Sequence, residues 1–212
     1  MTEGSDASVK SDQSHGWRRL RPGGGYRKLR SFRAATIVYD GTVAFCDRFL
    51  DKRTRTVDQM VQAARSGRQN IAEGSRASAA SSQIELRLVT VARASLDELL
   101  LDFEDFLRQR HLRQWTKDDP VAQAVRKVGR HRDRSDRTDP SDSADRQLYA
   151  AWIDHADPTV VANALICLIH QANYLLDQQI ASLERRFVEG GGYSEQLACI
   201  IRERASNRVR DC

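Results

Sequence analysis

Apolar positions recur at intervals of three and four along three long stretches of the chain. This spacing places them on one face of an α-helix, so each stretch is predicted to be an amphipathic helix. The first begins near Tyr26 and continues through Leu29, Phe32, Thr36, Tyr39, Val43, Cys46 and Leu50. The second contains Val89, Ala92, Leu96, Leu99, Phe103 and Phe106, and the third Leu165, Ile169, Ala172, Leu176, Ile180, Leu183 and Phe187.

A further helix is predicted between the first two stretches, from about Thr56 onward, and its later turns carry small residues. Small side chains allow a neighbouring helix to approach closely. Gly74 is predicted to follow the end of this helix in the left-handed conformation, and the Ser-rich residues 75–82 are predicted to link it to the next helix. The last long helix is predicted to begin with Asp157 as N-cap and Pro158 at its first position.

Polar and charged segments surround these helices. Residues 1–25 are rich in Ser, Asp, Gly and Arg, and residues 129–146 hold a run of mixed charges. Such segments bury too little apolar surface to offset the entropy cost of ordering. The sequence therefore predicts an all-α fold: an antiparallel up-down four-helix bundle over 26–190, a flexible basic N-terminal tail over 1–25, a mobile charged insertion at about 129–146 between helices 3 and 4, and a C-terminal tail or short helix over 191–212.

Composition agrees with one reduced, cytoplasmic domain. A chain of 212 residues is long enough to bury a core without disulfides or metals. The four cysteines, Cys46, Cys167, Cys199 and Cys212, form no Cys-x-x-Cys pair. The polar start of the chain lacks the apolar centre of a signal peptide, and no apolar run is predicted to reach the length that spans a membrane.

Catalytic and metal signatures are absent from the sequence. It contains no Glu-x-x-His motif, no nucleophile-elbow motif and no phosphate-binding loop. His170, Asn173 and Asp177 fall on one helix face and could form a polar site with Glu73, but a polar seam between helices is the favoured interpretation. The sequence therefore predicts no enzyme activity, no cofactor and no metal.

Two short motifs lie in the central helices, Asn70-Ile71-Ala72-Glu73-Gly74-Ser75 and Ala92-x-x-Ser95-Leu96-x-Glu98-Leu99. Asn70 and Glu73 are predicted to cap a helix end or to bond between helices, and Ser95 is predicted to bond back to a carbonyl one turn earlier. Through these motifs the chain resembles bacterial four-helix-bundle proteins related to the 23S rRNA intervening-sequence proteins and to the accessory proteins of diversity-generating retroelements. It looks most like the four-helix-bundle suffix domain subgroup. The resemblance implies a bundle that often forms a ring-like pentamer, and a scaffold role beside a reverse transcriptase and nucleic acid.

Arginine supplies most of the positive charge, and 34 basic residues exceed 29 acidic ones, giving a net charge of +5. An Arg-rich surface repeated in a homo-oligomer would attract phosphate backbones. The candidate nucleic-acid-binding residues are Arg18, Arg19, Arg21, Arg27, Lys28, Arg30, Arg33, Lys52, Arg53, Arg55, Arg65 and Arg68. The expected function is a non-enzymatic homo-oligomeric scaffold that binds RNA, DNA or a protein such as a reverse transcriptase. The alternative is a structural protein–protein interaction module that binds no nucleic acid.

Overall fold

The computed structural model describes residues 25–78, 81–135 and 142–190, and all regular structure in these residues is helical. A short 3₁₀ helix, Gly25–Lys28, is followed by α1 (Arg30–Phe49), α2 (Arg55–Ala77), α3 (Ser82–Gln109), α4 (Pro120–Ser135), α5 (Asp142–Gln147), α6 (Ala150–Ile153) and α7 (Pro158–Gly190). The predicted all-α class is therefore confirmed. The predicted tails, apart from Gly25 at the end of the first, lie outside the described residues.

The four long helices contact one another in a closed series. α1 packs on α2, α2 on α3, α3 on α7, and α7 on α1, while α4 and α6 pack against α7. Phe45 is fully buried and lies edge-on to two rings of α3, with centroids 5.1 Å from Phe103 and 4.9 Å from Phe106. Edge-to-face packing of this kind adds to the free energy gained by burying the rings.

Helix α7 is the most enclosed of the long helices. Every residue from 161 to 169 is buried, so this part of the helix is covered on all sides. The predicted start is confirmed, because α7 begins at Pro158 and Oδ1 of Asp157 accepts a 2.8 Å hydrogen bond from the backbone N–H of Thr159. The expectation that no apolar run is long enough to span a membrane was wrong for Pro158–Val188, but 67% of its most apolar window is buried inside the protein.

The junction between α2 and α3 differs from the prediction. α2 continues through Ala77, so Gly74 lies inside the helix rather than after its end, and Ser75 is buried within the helix rather than in a link. A Cβ atom on Gly74 would lie 3.3 Å from the Glu85 carbonyl oxygen and 3.4 Å from Leu88 Cβ. Gly74 thus permits close packing of α3, and its backbone needs no left-handed conformation.

Helical structure also extends into the segment predicted to be a mobile charged insertion. α4 runs to Ser135 and α5 begins at Asp142. Ala122 and Val125 are buried and belong to the main core, and α4 packs against α7. The first part of the charge run, residues 129–135, continues this anchored helix, and composition alone does not reveal that anchor.

Candidate functional site

The two sequence motifs meet at a hydrogen-bonded contact between α2 and α3. The hydroxyl oxygens of Ser66 and Ser95 are 3.0 Å apart. The Asn70 amide donates to the carbonyl of Ser66 at 3.0 Å and to its hydroxyl at 3.1 Å. The prediction that Ser95 bonds back within its own helix was wrong, because its hydroxyl reaches across to α2. Ser66 is one of the small residues in the later turns of α2, which the sequence indicated only as packing positions, so its bridging role was missed.

Close backbone approach explains the rest of the motif. A Cβ atom on Gly67 would lie 2.7 Å from Leu96 Cδ2, and Leu96 is fully buried. Glu73 is exposed on the outer side of α2. Asn70, Gly74 and Ser95 therefore serve the packing of α2 on α3. Ser95 and Glu98 of the second motif also line a groove of about 620 Å³ between these helices, whose other polar members include Arg55, Asp58, Ser66 and Asp102.

Arginine side chains stack on two tyrosines along the α1–α2 junction. The Arg68 guanidinium carbon lies 4.1 Å from the centre of the Tyr39 ring. Arg76 lies 4.8 Å from the centre of the Tyr26 ring and donates a 3.2 Å hydrogen bond to the Tyr26 hydroxyl. Arg27 lies 5.5 Å from the same ring. These distances fall within the range of cation–π attraction.

Arg65 extends the same surface. It lies eleven residues before Arg76 on α2, which is about three helical turns, so the two side chains leave the helix on the same side. Both are exposed, and Glu73 is the acidic residue between them. We call this surface the basic face, and its members are Tyr26, Arg27, Tyr39, Arg65, Arg68 and Arg76. The basic face combines guanidinium groups, whose N–H donors fit phosphate oxygens, with two half-buried tyrosine rings on which guanidinium groups stack.

Two other predicted arginines line a different surface. Arg30 lies in a cleft of about 470 Å³ between α1, α4 and α7, together with Arg126, His170 and Tyr174. Arg33 lies close by, and its Nε is 3.8 Å from Oδ2 of the buried Asp145. The basic cluster that is continuous in sequence is therefore split by the fold. Arg126 was missed by sequence reasoning, because only the fold brings it beside Arg30, which is 96 positions earlier in the chain.

Three of the remaining predicted basic residues have acidic neighbours of their own. Lys52 pairs with Asp47, the backbone N–H of Arg53 donates to Asp51 at 3.0 Å, and Arg55 lines a groove that also contains Asp58, Glu98 and Asp102. Lys28 is exposed beside Arg27. Arg18, Arg19 and Arg21 lie outside the described residues.

Two polar residues of α7, Asn173 and Asp177, form a seam with α3, whereas His170 lines the cleft beside α4. Arg93 pairs with Asp97 on its own helix, and its Nε donates to Asp177 at 2.6 Å. The Asn173 amide donates to Asp97 at 2.8 Å. Desolvation lowers the pKa of Arg93, but its hydrogen bond to Asp177 and the charge of Asp97 raise it overall. No group of three His, Cys, Asp or Glu side chains able to hold a metal ion occurs in the described part of the chain.

The buried thiols are held in their protonated form. Burial, aided by the charge of Asp102, raises the pKa of Cys46 to about 11. Burial also raises the pKa of Cys167, although the charge and hydrogen bond of Arg126 oppose this. A thiol attacks as its thiolate, so neither group is activated as a nucleophile at neutral pH.

Comparisons of the chain with protein-family models, with curated proteins and with solved structures gave no match.

Proposed function

We propose that this protein is a non-enzymatic, homo-oligomeric helical scaffold of the cytoplasm that binds nucleic acid, or an enzyme that acts on nucleic acid, through the basic face. We further propose that its long helices form an up-down four-helix bundle. Tyr26, just before α1, meets Arg76 at the end of α2, and Ser31 at the start of α1 donates a 2.9 Å hydrogen bond to Gln179 late in α7. Both contacts support antiparallel neighbours. The resemblance to the intervening-sequence proteins points in addition to a ring-like pentamer.

The arginine–tyrosine stacking along the α1–α2 junction is the observation that carries this proposal. An exposed arginine is flexible, and immobilising it on a ligand costs side-chain entropy. The rings of Tyr26 and Tyr39 already restrict Arg68 and Arg76 in the unbound protein. The guanidinium edges can then donate to phosphate oxygens, while bases can stack on the guanidinium planes that lie over the tyrosine rings.

Oligomerisation would strengthen the effect of a modest charge. Each chain contributes a net charge of +5, which alone gives weak attraction. Several copies of the basic face on one assembly would let a single strand contact many arginines and release many counterions. Binding of this type depends on backbone charge and stacking, so we expect little preference for sequence.

Fluorescence anisotropy with a labelled single-stranded RNA and the matching DNA tests the proposal. We expect micromolar or tighter binding that weakens steeply between about 50 mM and about 200 mM salt. The double variant R65Q/R76Q should lower the magnitude of the logarithmic salt slope by about 1.4, because each contact with a single-stranded phosphate contributes about 0.7.

The matched control removes the same charge from another surface. R108Q/R113Q changes two exposed arginines that pair with Asp105 and Asp119, away from the basic face, and should leave the salt slope unchanged. An equal loss of binding in both double variants would mean a general charge effect. No binding at micromolar protein would contradict the proposal and favour the protein-interaction module.

A further inference from the structure

Helix α3 carries a second stripe with the same three-four spacing as its core stripe, but it faces solvent. Its members are Ile84, Arg87, Val91, Ala94, Glu98 and Leu101, and all six are exposed. The exposed fractions of the large apolar members are 50% for Ile84, 41% for Val91 and 62% for Leu101. This alternation is the spacing by which one helix packs along another in a coiled-coil seam.

The outer stripe is complementary to itself when read in opposite directions. Its members lie in pairs at equal distances on either side of the bond between Ala92 and Arg93. Ile84 pairs with Leu101, Arg87 with Glu98, and Val91 with Ala94. Apolar residues therefore meet apolar residues, and the positive charge meets the negative one.

We infer that a second copy of this chain docks on the outer stripe, with the two α3 helices antiparallel about a two-fold axis near Ala92. The inference deepens the proposed function, because it rests on the homo-oligomeric part of that function and assigns a dimer to it instead of the pentamer. A two-fold contact uses the same patch on both subunits, so each complementary pair occurs twice. The ion pair between Arg87 and Glu98 thus forms at both ends of the contact.

Charge selects the antiparallel direction. A parallel pairing of the stripe would place Arg87 against Arg87 and Glu98 against Glu98 of the other copy, and like charges held opposite each other repel. In the antiparallel direction Arg87 meets the acidic end of the partner helix. That end also holds Asp102 and Asp105, whose charges act on one another.

The length of the stripe suits such a contact. From Ile84 to Leu101 the helix rises about 26 Å at 1.5 Å per residue, which is close to five turns. Val91 and Ala94 at the centre are small enough to let the helix axes approach, while the larger Ile84 and Leu101 close the ends. A partner of unrelated sequence would have no reason to match this mirrored order.

The inference is tested by light scattering, which measures the mass in solution of the 212-residue chain and of its charge-reversal variants. The wild type should have twice the 24.0 kDa mass of one chain at tens of micromolar concentration. R87E and E98R should each raise the dimer dissociation constant by roughly tenfold to a hundredfold, because two ion pairs become two repulsive contacts. An equimolar mixture of R87E and E98R should restore the dimer, since both pairs are then matched in the mixed species. The double variant R87E/E98R should also be dimeric.

The mixture separates pairing from damage to the fold. A variant that had merely unfolded could not be rescued by the other, and circular dichroism should show the wild-type helix content for both. Three results would each overturn the inference. The wild type could be a monomer, it could be a pentamer whose mass does not change with either substitution, or the mixture of variants could remain monomeric. R65Q/R76Q should dimerise normally, so a failure of nucleic-acid binding and a failure of the α3 contact are distinguishable.

Discussion

Replacing Gly67 with alanine should destabilise the protein, even though alanine is the better helix former. Gly67 is buried in the middle of α2, where it faces α3. A Cβ atom there would lie 2.7 Å from Cδ2 and 2.8 Å from Cγ of Leu96. Contacts this short require Leu96 to move, and Leu96 is 0% exposed within a packed core.

The expected magnitude follows from two opposing contributions. Alanine in place of glycine inside a helix stabilises by about 1 kcal/mol. Overpacking a well-packed core costs about 1 to 3 kcal/mol. The net result is a loss of about 1 kcal/mol in the free energy of unfolding. For a domain of this size that loss lowers the melting temperature by about 2 to 4 °C.

Gly74→Ala is the matched control, because it changes the same residue type in the same helix. Its nearest contact would be 3.3 Å, to the Glu85 carbonyl oxygen. The helix-propensity gain of about 1 kcal/mol is opposed by this tight contact with a backbone atom, so the variant should be close to neutral. Urea unfolding monitored by circular dichroism measures both. If Gly67→Ala proved as stable as Gly74→Ala, the tight α2–α3 contact described here would be refuted.

Three further predictions concern charge, thiols and a helix cap. Desolvation, then the charges of Asp105 and Glu98, raise the pKa of Asp102, so its ionised form costs stability above that pKa. Asp102→Asn should therefore melt higher than the wild type at pH 7, and calorimetry should show the difference shrinking toward about pH 4; a constant difference would contradict this cause. Cys46 should be alkylated far more slowly in the native protein at pH 8 than in urea, as measured by peptide mass spectrometry, since it is 2% exposed with a pKa of about 11. Asp157→Ala should lower the free energy of unfolding in urea by about 1 kcal/mol, and an unchanged midpoint would argue against the cap.

Periodicity alone identified three of the four long helices. The three-four spacing predicted α1, α3 and α7, and the Asp157-Pro158 pair marked the start of α7, because these signals depend on residues close in sequence. The end of α2 was misplaced for the opposite reason. The local sequence around a glycine is the same whether the glycine ends a helix or allows another helix to pack closely against it. At Gly74 the structure shows the second case, and the helix that packs there is α3.

Less of the candidate site than of the fold could be predicted from the sequence. The arginines were evident, but their partners were not: the hydrogen bond from Arg76 to Tyr26 joins residues 50 positions apart. Arg27 and Arg30 are neighbours in sequence, yet Arg27 lies over Tyr26 while Arg30 lines the cleft beside α4 and α7. No charge count distinguishes these two positions.

The sequence by itself determined that this protein is helical, where three of its long helices carry their apolar faces, and that its excess charge is largely arginine. Only the tertiary structure decided which of those arginines share a surface, that the Asn70 to Ser75 motif serves packing, and that α3 keeps a second stripe outside the core. The physical reason is that helix formation and amphipathic spacing are local properties of the chain. Which faces meet depends on how side chains of distant segments fit together, and the basic face and the outer stripe of α3 are products of that fit.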